Sequence, residues 1–69
     1  MTANDLVRYA ESKGWKFVRR GNRSSHLIFG HTDYRYHLAI PDHGHKQIKP
    51  GLLATLLRQI DGTWKGTHA

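Results

Sequence analysis

Cysteine is absent from this 69-residue chain, which excludes both a disulfide framework and a thiolate zinc site. Such a composition suits a reducing cytoplasm, and that is the compartment the sequence predicts. Long hydrophobic runs are also missing: nothing approaches the roughly 20 apolar residues of a membrane-spanning helix. Met1 to Lys13 mixes Asp5, Arg8, Glu11 and Lys13 with its apolar residues, unlike a secretory signal. A soluble protein with no membrane contact is therefore expected. Acidic residues are scarce: five Asp and Glu oppose eleven Lys and Arg, for a formal charge of +6. So basic a chain points to a polyanionic partner, nucleic acid above all, against the plain alternative of charge kept for solubility. No internal repeat or low-complexity segment is present.

What remains is one small domain. A chain of this length buries only about 60% of its unfolded surface, so its stability is expected to be marginal. Thr2 or Asn4 caps a first helix with Asp5 in its first turn. Leu6, Tyr9, Ala10 and Lys13 form its apolar stripe, closing on a snorkelling lysine, and Gly14 ends it. Trp15 to Arg20 alternates apolar and basic residues as a strand does. Gly21-Asn22 turns the chain, and Ser25 to Phe29 forms a second strand. A polar turn at Gly30 to Asp33 leads to a third, Tyr34 to Ile40, stopped by Pro41. Turns this short pair the three as an antiparallel meander. After a polar loop from Asp42 to Lys49, Pro50 opens a second helix. Leu52, Leu53, Leu56, Leu57 and Ile60 give it a broad apolar face, and Gly62 caps it. Residues 1–62 make the domain, and residues 63–69 a tail without periodicity, expected to be frayed or ordered by a partner. The fold class is α+β, in the order α-β-β-β-α, with two helices on one face of a three-stranded antiparallel sheet.

Alternation divides each strand between two faces. With Trp15, Phe17, Leu27, Phe29, Tyr36, Leu38 and Ile40 toward the helices, the other face carries Lys16, Val18, Arg20, His26, Ile28, Arg35, His37 and Ala39. That face is basic, holds two histidines and has no acidic residue. Metal-free cleavage of RNA requires a base for the 2′-hydroxyl proton, an acid for the leaving 5′-oxygen and cations for the phosphorane charge. Histidine as a residue type serves as either acid or base, and Arg and Lys hold phosphate. The plainer reading is that these histidines bind phosphate or are simply exposed.

Gly14-Trp15, Arg19-Arg20, Ser25-His26, Pro41, His43 and Lys46-x-Ile48-x-x-Gly51-x-Leu53 follow one another in an order that resembles the HicA family of toxin–antitoxin toxins. The resemblance runs from Gly14 to Ile60. It implies the compact α-β-β-β-α fold related to double-stranded RNA-binding domains. It also implies ribosome-independent cleavage of messenger RNA that arrests translation, and a HicB-like antitoxin that covers the active face. The family's catalytic histidine falls on His26, which alternation places on the basic face. Where the family reads Gly-Ser-His, this chain reads Ser24-Ser25-His26.

The expectation is thus a metal-independent endoribonuclease without a cofactor, in which His26 is general acid or base. Arg20 and Arg23, with Lys16 or Arg35, hold the RNA backbone, and Ser25 holds the histidine or a phosphate oxygen. His37 lies on the same face, as phosphate ligand or second acid–base group. The alternative is a non-catalytic RNA-binding module using that face. A DNA-binding regulator is a third reading, for which no helix-turn-helix pair is seen. His31, His43 and His45 lie in loops. Asp42-His43-Gly44-His45 lacks zinc-motif spacing and a cysteine, so no metal is expected. Trp15 reads as core rather than as a base-stacking platform.

Overall fold

The computed structural model describes residues 1–21, 26–42 and 45–64. The chain runs through α1 (Ala3–Ser12), β1 (Lys16–Arg20), β2 (His26–Gly30), β3 (Leu38–Pro41) and α2 (Pro50–Asp61). The strands form one antiparallel sheet in the order β1-β2-β3. This is the α+β arrangement that the hydrophobic pattern predicts.

Thr2, not Asn4, caps α1. Its hydroxyl accepts from the Asp5 N–H at 3.1 Å and the Asp5 carboxylate accepts from the Thr2 N–H at 3.2 Å, a reciprocal capping box. These backbone and side-chain bonds from Thr2 hold the Asp5 carboxyl below its ordinary range, because they favour the charged form. The helix stops at Lys13, and Gly14 reverses the chain at φ 96°. A β-carbon at Gly14 would lie 2.8 Å from His31 Nε2, and the positive φ would strain any residue but glycine. The second helix, α2, begins at Pro50, which gives up no hydrogen bond at that position. It ends at Gly62 with φ 79°.

Both helices pack on one face of the sheet. Leu6, Ala10, Leu56 and Ile60 meet Trp15, Phe29, Leu38 and Ile40, all nearly inaccessible to water. Burying each large apolar side chain contributes about 1.5–3 kcal/mol. The Trp15 indole N–H donates to the Ile60 carbonyl at 3.2 Å, so the largest core residue leaves no buried donor unpaired.

Three features of this layer correct the expectations. Phe17 pairs with Phe29 and shares its face, yet is 54% exposed. It sits on the edge strand, where every residue is exposed, and its ring meets Phe29 edge-on at 5.8 Å. Facing the helices is not the same as lying beneath them. The third strand is shorter than expected, because residues 34–37 run outside the sheet. There Tyr34 stacks on Trp15 at 5.5 Å, and the Tyr36 hydroxyl donates to the Gln59 carbonyl at 2.7 Å, ties that draw this stretch toward α2. Finally, the chain stays packed as far as Trp64, whose ring meets Tyr36 edge-on at 5.0 Å. Residues 65–69 of the expected tail lie outside the described ones. Among the described residues, no helix is long and apolar enough to cross a membrane.

Candidate nucleic-acid interface

The register decides which side chains share the open face. Lys16 pairs with Gly30 and Phe17 with Phe29, but Arg19 then pairs with Ile28 and Arg20 with Leu27. Val18 is therefore the extra residue of a β-bulge, and the alternation expected along β1 changes sides beyond it. Arg19 takes the place on the open face that alternation assigns to Arg20. Arg20 turns toward the helix side, where its guanidinium meets the Asp42 carboxylate at 2.7 Å. That pair is largely solvated and contributes little to stability.

His26, Ile28 and Gly30 of β2 stand on the open face, with Ala39 and Pro41 of β3 opposite Ile28 and His26. Gly30 lacks a side chain between two neighbours. A β-carbon there would lie 3.2 Å from Val18 Cγ2 and 3.6 Å from the His37 ring, so both residues line the same face. Among the described residues the face thus carries Lys16, Arg19, His26 and His37 and no carboxylate; it differs from the expected face in having Arg19 for Arg20 and in lacking Arg35. Arg35 is exposed but lies in the connection outside the strands. Arg23, Ser25, Ser24 and His43 lie outside the described residues.

The two histidines of this face stand at opposite ends. Gly30 lies four residue steps along β2 from His26, about 13 Å at about 3.3 Å per residue. Proton transfer needs heavy atoms roughly 2.6–3.2 Å apart. His37 and His26 therefore stand too far apart to transfer protons at one bond.

At its own end, His26 borders a cleft of ≈ 310 Å³, lined also by Pro41, Gln47, Ile48, Lys49 and Leu52. Three parts of the chain build it: the first residue of β2, the last of β3, and the approach to α2. A short antiparallel bridge between Thr2 and Gln47, with the Ile48 N–H donating to the Met1 carbonyl at 3.1 Å, fixes that approach. Gln47, Lys49 and Leu52 are site residues that sequence reasoning missed. The one available signal was a lysine immediately before a helix-opening proline.

His31 has a different role. Its ring joins the Lys13 carbonyl through Nε2 at 3.0 Å, and Nδ1 accepts from the Asp33 N–H at 3.0 Å. These bonds tie the α1 exit to the β2–β3 connection. His45 is exposed. Among the described residues, no three His, Cys, Asp or Glu side chains cluster as a metal site. The loop reading of Asp42 to His45 includes His43, outside the described residues.

The fold and this face define a small α+β domain, helix, three-stranded sheet, helix, with a basic, histidine-bearing open surface. A sequence model of the family described as the HicA toxin of bacterial toxin–antitoxin systems matches residues 3–61, nearly the whole chain. The chain belongs to that family. The match begins within α1, well before Gly14, where the resemblance read from the sequence begins. No curated protein and no solved structure gives a significant match.

Proposed function

We propose that the protein is the toxin of a toxin–antitoxin pair and acts as a metal-independent endoribonuclease on single-stranded messenger RNA, with His26 as general acid or base. The observation that carries this reading is the position of His26, where a cationic sheet face meets a cleft lined by Lys49. In the reaction the 2′-oxygen loses its proton to a base and attacks phosphorus. The P–O5′ bond then breaks, and the 5′-oxygen takes a proton. The products are a 2′,3′-cyclic phosphate and a 5′-hydroxyl. His26 transfers one of these protons, and the cations oppose the charge on the phosphorane.

Lys16, Arg19 and His37 contact the RNA backbone along the face, with Arg35 beyond it. Arg23 and Ser25 keep the phosphate-holding roles the sequence suggests. Arg20, turned to Asp42, takes a smaller share than Arg19. A HicB-like antitoxin covers this surface. Val18, exposed on that face beside Gly30, offers it apolar contact.

The test is cleavage of a labelled single-stranded RNA in EDTA by the wild type and His26→Ala. The wild type is expected to yield cyclic-phosphate ends, and the variant to lose about 10²–10⁴-fold in rate with its melting temperature kept. Equal cleavage by both proteins dismisses His26. Salt-sensitive binding by both without product makes the chain an RNA-binding module.

A further inference from the structure

The cleft beside His26 has two kinds of wall. Pro41, Ile48 and Leu52 form an apolar side, while His26, Gln47 and Lys49 supply polar groups, and none of the six is acidic. Leu52 is 43% exposed on the first turn of α2, unlike Leu56 and Ile60 on the same helix, which are buried. Next to it, Gly51 has no atom within 4 Å of where a β-carbon would stand, so the start of α2 is uncovered there. The volume of ≈ 310 Å³ lies at the small end of ligand sites, which run from about 300 to 1,000 Å³. An apolar lining together with a cation and an imidazole matches a ligand that is weakly polar at one end and anionic at the other.

We propose that this cleft binds one nucleotide of the RNA, its base against Pro41, Ile48 and Leu52 and its phosphate between Lys49 and His26. This rests on the ribonuclease reading for its substrate and adds where that substrate is gripped. Gln47 selects among bases. Its Oε1 already accepts from the Met1 nitrogen at 2.7 Å, which leaves the carboxamide N–H groups as donors. A base presenting a carbonyl or ring-nitrogen acceptor is favoured over one presenting an amino group at that edge. Lys49 precedes Pro50, and its backbone is extended, at ψ 141°, because the proline ring disfavours a helical residue before it. Lys49 is thus held at the edge of the cleft by its backbone.

The experiment is a titration of the ¹⁵N-labelled full chain with each of the four ribonucleoside 3′-monophosphates, and with inorganic phosphate. Amide shifts are expected at His26, Ile48, Lys49, Gly51 and Leu52. Nucleotide should bind more tightly than phosphate, and the four bases should differ. Lys49→Ala should weaken both ligands about tenfold or more, as loss of a charge-assisted hydrogen bond does, while Lys49→Arg retains most binding. Leu52→Ala should reduce nucleotide binding toward the level of phosphate and leave phosphate unchanged. Gln47→Ala should narrow the differences among the bases. Shifts confined to Lys16, Gly30 and His37, equal affinity for nucleotide and phosphate, or full binding by Lys49→Ala each overturn the proposal. Because binding is read without turnover, cleft binding in a protein that cuts no RNA leaves the cleft standing and removes the ribonuclease reading. His26-dependent cutting without cleft binding does the reverse.

Discussion

One histidine opens β2 and another follows its last residue, and the two ends of the strand place them in different surroundings. Past Gly30, His31 has both ring nitrogens in hydrogen bonds to main chain and packs edge-on to Trp15 at 5.3 Å. Trp15, Tyr34 and Tyr36 stack beside it, and burial, with Tyr34 nearby, raises the Tyr36 hydroxyl pKa above its ordinary value. At the other end, His26 borders an open cleft that Lys49 also lines. One end of the sheet is saturated with internal contacts, while the other opens on a cleft. Residue type and place relative to the strand are nearly the same in both cases. The surroundings therefore decide which histidine ties α1 to the β2–β3 connection and which borders the cleft.

Four measurements break or sharpen that contrast. The largest effect is expected for Trp15→Ala, which empties the saturated end and removes the bond to Ile60. A loss of about 3–5 kcal/mol in a domain this small should appear as an unfolded or barely folded chain by circular dichroism. His31→Ala should cost about 1–3 kcal/mol in urea unfolding, since it removes two hydrogen bonds to main chain, each worth about 0.5–1.5 kcal/mol net. Below its melting temperature it should keep the wild-type cleavage rate, whereas His26→Ala loses rate and keeps stability. If His31→Ala loses rate with stability intact, the division between the two ends fails.

A smaller effect separates the two arginines of β1. Arg19→Ala should lower the salt dependence of RNA binding, read as the slope of log K against log [salt], by about 1. Arg20→Ala should change it less, because Arg20 faces Asp42. Equal slopes would put both guanidiniums on RNA. The smallest effect concerns Asp5. Its pKa is lowered in the folded state by the Thr2 bonds, so the unfolded chain binds that proton more readily. The capping contribution is full above the unfolded value near 3.8 and is lost as pH falls through the lower folded value. Asp5→Asn should remove that part of the acid sensitivity in melts at descending pH.

The helices are legible in the sequence because their information is local: Thr2 with Asp5, Gly14, Pro50 and Gly62 mark the ends, and the apolar stripe marks the buried side. The face carrying His26 is legible too, since β2 pairs without interruption. Three things are not. Nothing in Lys16-Phe17-Val18-Arg19-Arg20 announces a bulge, because the extra residue is fixed by pairing with β2. Alternation gives Phe17 its face but not its coverage, which depends on how far the helices extend over the edge strand. The cleft joins His26 to Lys49 and Leu52, more than twenty residues apart, and only the closed fold brings them together.

The bulge at Val18 has a consequence for the electric field of the protein. One surplus residue acts as a parity inversion: every side chain after it exchanges sides while composition, strand order and net charge stay the same. With it, Lys16 and Arg19 project one way and Arg20 the other, so a single strand divides its three cations between an outward surface and an internal tether. The same five residues paired without a bulge would have the same formal charge and the same succession of elements, yet Arg20 would project outward and Arg19 inward. Counting charges along such a strand therefore does not give the potential that an approaching polyanion meets.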